Sequence, residues 1–145
     1  MKRILFQGDS ITDCGRSRDN DGYKGHGYPN KVMGVLGFEC PGEYEFINRG
    51  VGGNRIVDLY ARIKRDILIL KPDVMSILIG VNDVWHEFGE QNGVDADKFF
   101  KIYSMLIEEV KEATTQNSFK GLIKQERDFI CFTAAWFDGE QCSEI

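Results

Sequence analysis

Three short apolar runs constrain what this chain can fold into. They lie at residues 3–9, 44–48 and 73–80, and each leads into a polar stretch containing glycine. Helical patterns stand between them. Val32, Val35 and Leu36 recur at helical spacing after Pro29, with Gly37 as the predicted stop. Leu59, Ile63, Ile67 and Leu70 recur every three or four positions until Pro72 ends the pattern, which predicts one helix over 56–70. Another helix is predicted over 97–114, where Phe99, Phe100, Tyr103, Leu106, Ile107 and Val110 share a face. Residues 128–136 read as a fourth strand. This alternation favours an α/β fold, a parallel sheet covered by helices. The 73–80 run is apolar enough for a strand buried on both faces. Residues 80–97, "GVNDVWHEFGEQNGVDAD", read as a polar loop with an aromatic inside it.

A length of 145 residues fits one domain, taken here as 1–145. The net charge of −5 comes without a basic block, so a nucleic-acid partner is not expected. Arg62, Lys64 and Arg65, beside Asp66, read as a solvated helix face. Cys14, Cys40, Cys131 and Cys142 show no C-x-x-C spacing, and the histidines are only His26 and His86. Neither a metal site nor a cofactor is expected from that set. The first apolar run is too short for a signal peptide and no run is long enough to span a membrane. The expectation is a cytoplasmic protein with reduced thiols and no membrane partner.

In open parallel sheets, function sits beyond the carboxyl ends of the strands. Gly8–Gly15, Asn48–Asn54 and Gly80–Asp83 all fall there, on one rim. Acyl transfer needs an exposed nucleophile, donors for a developing oxyanion, and a base. Ser10, at a strand end, suits the first. Gly52 and Gly53 offer backbone N–H groups with no side chain in the way, and Asn82 offers a side-chain amide. Taken singly, each motif is more often a turn or a helix cap than a catalytic element.

Together, "GDSIT", "NRGVGGN" and "GVND" resemble, in order, the first three blocks of the GDSL, or SGNH, hydrolase family. The resemblance covers roughly residues 3 to 115. It implies a flavodoxin-like three-layer sandwich and a serine ester hydrolase. Family members act on lipids, thioesters and acetylated carbohydrates, and the texture here is nearest the bacterial intracellular acylhydrolases and sugar esterases. The implied roles are Ser10 as nucleophile and first oxyanion donor, Gly53 as second donor through its N–H, and Asn82 as third through its amide. Asp9 and Asn54 occupy motif positions suited to holding loops. Asp9, Asp83, Trp85 and His86 are candidate substrate contacts, and a small ester is the implied partner.

The resemblance stops at the family's fourth block, Asp-x-x-His, which supplies the base. Residues 116–145 contain no histidine. The last strand and helix are therefore expected to be missing, with 116–145 a divergent or frame-shifted tail and the sheet edge free for self-association. Asp83-Val84-Trp85-His86 has the right spacing, but His86 is expected to line the pocket beside Trp85 rather than to replace the base. Two other readings are a catalytically impaired remnant and a flavodoxin-like small-ligand binder. The second is weakened by Asp9 and Asp13, which would repel a phosphate.

Overall fold

Strand β1, Lys2–Gly8, runs through the middle of a parallel sheet. The computed structural model describes residues 1–115 and 129–133. The chain continues through α1 (Ser10–Asp13), α2 (Tyr28–Glu39), β2 (Tyr44–Asn48) and α3 (Ile56–Ala61) to a π-helical turn at Lys64–Leu68. It goes on through β3 (Val74–Ile79), α4 (Val81–Glu90), α5 (Ala96–Thr115) and β4 (Phe129–Thr133). The strand order is β2-β1-β3-β4, and every pairing is parallel. Leu5 stands between Ile47 and Met75, and Gly8 pairs with Leu78. This is the α/β fold with a parallel sheet that the alternation predicts and the flavodoxin-like architecture that the family resemblance implies.

Alternation along β1 sorts the layers. Leu5 and Gln7 point towards α3, the π turn and α5, where Ile56, Leu59, Ile67, Leu106 and Val110 complete the core. Leu5, Ile56, Leu59 and Leu106 are fully buried, worth about 2 kcal/mol each. Ile4 and Phe6 point to the other face, where Phe6 meets Tyr28 of α2 edge-on at 5.6 Å. β3 is fully buried on one face only, through Met75, Ile77 and Ile79, while Val74, Ser76 and Leu78 are half-buried. α2 runs past Gly37 to Glu39 and leaves Val35 and Phe38 exposed, so its apolar spacing does not mark a buried stripe.

Two elements differ from the sequence expectation more sharply. Residues 81–90 form a helix, not a loop. Its buried positions are polar, Asn82 and Asp83, and its exposed ones include Trp85 and Phe88. Hydrophobic periodicity looks for the reverse arrangement. The predicted helix over 56–70 breaks at Ala61 into the π turn. β4 pairs with β3 within the predicted 128–136 run. The free edge expected from a missing strand, and most of the tail 116–145, lie outside the described residues.

The site follows from this topology. The chain leaves β1 towards β2 on one side, and β3 lies on the other. The crevice at the carboxyl ends of β1 and β3 is the switch point where α/β sheets bind ligands. Ser10 follows one of these strands and Asn82 follows the other.

Candidate active site

Gly8 makes the turn from β1 into α1. A Cβ there would lie 2.2 Å from the Leu78 carbonyl oxygen and 2.3 Å from Thr12 Oγ1, so no side chain fits. Asp9 caps α1: its carboxylate accepts the Ile11 N–H at 2.9 Å. Burial raises its pKa, and that hydrogen bond pulls it part of the way back. Ser10 is the first residue of the helix and is exposed. Its hydroxyl is bonded to no described residue.

The loop after β2 is fastened to α1 through side chains. Asn48 donates to the carbonyls of Thr12 (2.7 Å) and Lys24 (2.9 Å) and accepts the Gly50 N–H (2.9 Å). The Gly50 carbonyl accepts from Arg16 (2.7 Å) and Arg18 (3.0 Å). Val51 donates its N–H to the Gly8 carbonyl at 3.0 Å. A Cβ on Gly52 would sit 3.8 Å from that of Ser10, so this loop lies against the serine. The Gly52 N–H is already committed to Asp13 Oδ2 at 3.1 Å. The Gly53 N–H has no partner among the described residues. Gly53 has φ of +78°, and a Cβ there would meet nothing within 4 Å. Of the two glycines proposed from sequence, Gly53 is the one with a donor to spare.

Asn82 enters from the third loop. Its amide donates to the Asn54 carbonyl at 3.0 Å. An amide carries two N–H bonds, so the second stays available while the first fixes the group's orientation. Asp83, wholly buried, accepts the Ile56 N–H with both oxygens, at 3.0 and 3.2 Å. Burial lifts its pKa to about 6 against the pull of that N–H. The first turn of α4 is thus tied to residues 54–56, directly after Gly53.

These contacts revise several sequence assignments. Asp9 and Asp83 are 1% and 0% exposed and hold backbone, so neither carboxylate is presented to a substrate. Trp85 is exposed and His86 half-buried, on the helix that begins beside Asn82. Asp83 and His86 do not form a dyad: both Asp83 oxygens accept the Ile56 N–H. His26 Nε2 pairs with the Tyr23 hydroxyl at 2.7 Å. Among the described residues, no group of three His, Cys, Asp or Glu side chains is placed to hold a metal, and no helix is long and apolar enough to cross a membrane.

The largest departure is Arg62, assigned from sequence to a solvated face. Its side chain is only 12% exposed. Nε donates to Asn54 Oδ1 at 2.8 Å, and Nη2 to the Gly8 carbonyl at 3.2 Å. Nη1 donates to the Arg49 carbonyl (2.8 Å), Gln7 Oε1 (3.0 Å) and Asp66 Oδ2 (3.0 Å). Burial lowers the Arg62 pKa, and Asp66 draws it back up. For Asp66 burial acts upwards, but the bonds from Arg65 and Arg62 together hold its pKa below the usual carboxylate value. Gln7, an uncharged polar residue inside an apolar strand, was the one sequence signal of this inward network.

The GDSL-like lipase/acylhydrolase family matches residues 6–127. The chain belongs to this family. Among curated proteins, an acetylxylan esterase from Geobacillus stearothermophilus is 44% identical over 92 residues, 60% of this chain. The chain spans only 42% of that relative's length. The crystal structure of an acetylxylan esterase from the same organism superposes with a TM-score of 0.72 at 38% identity, over 77% of this chain and 55% of the other. Structures of catalytic mutants of that esterase replace a serine, an aspartate or a histidine by alanine.

Proposed function

We propose that this chain carries the nucleophile and oxyanion hole of a serine ester hydrolase acting on a small ester, with an acetylated sugar as the favoured class. The observation that carries this reading is the arrangement around Ser10. An exposed serine opens α1, the unpartnered Gly53 N–H lies in the loop against it, and Asn82 has one amide N–H to spare. Family membership supports the reaction type, and the names of the acetylxylan esterases support the substrate class.

In the proposed reaction Ser10 Oγ bonds to the ester carbonyl carbon and the carbonyl oxygen takes up negative charge. The N–H groups of Ser10 and Gly53 and the Asn82 amide stabilise that charge. Collapse breaks the ester C–O bond and leaves the acyl group on Ser10, and the proton lost by the Ser10 hydroxyl ends on the leaving oxygen, which departs as the alcohol. Water then cleaves the acyl-enzyme.

The second reading, an impaired hydrolase, is favoured by one observation: neither histidine of the sequence bonds Ser10 among the described residues. An oxyanion hole without its triad base retains roughly 10³–10⁴-fold catalysis over water. Hydrolysis of p-nitrophenyl acetate, beside Ser10→Ala, separates the readings. Turnover well above the Ser10→Ala control supports a working esterase. Turnover equal to the control leaves the impaired reading.

A further inference from the structure

We propose that Arg62 is a positioning residue for this site: its guanidinium holds the loops of Ser10 and Gly53 in one register from beneath. The proposal rests on the esterase reading above and assigns a new role within it. Arg62 bonds to neither Ser10 nor Gly53. It bonds to the carbonyl of Gly8, two residues before Ser10, and to the side chain of Asn54, immediately after Gly53. It also bonds to the carbonyl of Arg49, at the start of the Gly53 loop. One rigid group therefore joins the chain leaving β1 to both ends of the loop leaving β2.

The chemistry of the group is specific. A planar fork with five N–H bonds can meet acceptors in several fixed directions, whereas an ammonium is a single point donor. Gln7 and Asp66 complete its shell from below. Gln7 is itself held, through its amide, by the Asp66 carbonyl at 2.7 Å. The loops are thereby referred to the core and not only to each other.

A second observation comes from the backbone. Arg62 lies at the break between α3 and the π turn, with φ −108° and ψ 13°. Its N–H reaches back to Leu59 and Tyr60 instead of continuing the α ladder. Breaks of this kind cluster at functional sites. Here the break coincides with the residue that reaches under the rim.

Arg62→Lys keeps the charge and removes the fork. It is measured on the full chain with p-nitrophenyl acetate, beside wild type and Ser10→Ala, together with amide NMR shifts of Gly53 and Asn54. The expected result is a kcat lower by roughly 10- to 100-fold with KM within about threefold, the signature of misplaced groups rather than lost binding. The Gly53 and Asn54 resonances are expected to move. A kcat within about twofold of wild type, or a lower kcat with both resonances unmoved, overturns the proposal. If wild type is no faster than Ser10→Ala, the esterase reading fails, and the resonances alone decide for or against Arg62. Should Arg62→Lys not fold, Asn54→Ala removes one acceptor and leaves the Arg62–Asp66 pair intact. It is expected to shift the Gly53 resonance and lower kcat with KM held. An unmoved resonance overturns the proposal.

Discussion

The Gly52 N–H donates to Asp13 Oδ2 at 3.1 Å, and Arg18 grips the same oxygen at 2.5 Å. One carboxylate thus consumes the Gly52 donor and leaves the Gly53 N–H as the spare one. Asp13→Ala removes this restraint. Native-state amide exchange at Gly52 is expected to quicken by about tenfold, the value of one hydrogen bond of ordinary strength. Unchanged exchange at Gly52 would show that the loop is held without Asp13.

Asn82 carries a related expectation. Its amide is anchored to the Asn54 carbonyl and has one N–H left for an oxyanion. Asn82→Ala should lower kcat by roughly 10²-fold, as loss of one oxyanion donor does elsewhere. KM should stay near wild type, because the donor acts on charge that appears only in the transition state. A change confined to KM would assign Asn82 to ground-state binding instead.

Much of this arrangement is legible in the sequence, and the exceptions share a cause. The apolar runs at 3–9, 44–48 and 73–80 locate three strands within a residue or two, and their polar sequels mark the rim. Periodicity fails for α4 because Asn82 and Asp83 face inward while Trp85 and Phe88 face solvent. It fails for Arg62 because a buried arginine in a charge run looks like any solvated one. The contacts that shape the site mostly join residues far apart in the chain: 13 to 52, 62 to 8, 83 to 56. A side chain bonded to distant backbone leaves no periodic trace. Only Gln7, out of place in its strand, signals the Arg62 network, and nothing local signals the other two contacts.

Asp83 gives stability a pH dependence with a defined sign. Its folded-state pKa of about 6 lies above the ordinary value of 3.8. Between those values the folded protein keeps a proton that the unfolded chain has lost. The stabilising contribution is therefore complete below the lower value and is lost as pH rises through the upper one. Urea unfolding of wild type and Asp83→Asn should show their difference drifting against wild type from about pH 4 to about pH 6, then levelling. Asp66, shifted the other way and not among the charges acting on Asp83, cancels in the difference. A difference that is flat across this range would remove Asp83 as the titrating group.

At Gly50 the β2 loop lies tight against the backbone of α1. A methyl group there would lie 2.3 Å from the Asp13 nitrogen and 2.7 Å from the Thr12 carbonyl carbon. Both are backbone atoms and cannot rotate aside. Gly50→Ala should cost about 3 kcal/mol, at the upper end of overpacking penalties. Thermal unfolding checks it, and a melting temperature equal to wild type would mean that the loop shifts freely, against the bonds it receives from Asn48, Arg16 and Arg18.

His86 has the spacing of a triad partner but not its contacts. On α4 it stands three residues after Asp83, whose carboxylate is closed around the Ile56 N–H. A histidine without that orienting acid lacks the bond that sets its tautomer and aims its ring at the serine. His86→Ala should therefore leave kcat for p-nitrophenyl acetate within about threefold of wild type, whereas removing a true general base costs 10²–10⁴-fold. Ser10→Ala in the same assay sets the floor. If His86→Ala falls to that floor, His86 is the base, and α4 must turn its ring towards Ser10 when substrate binds.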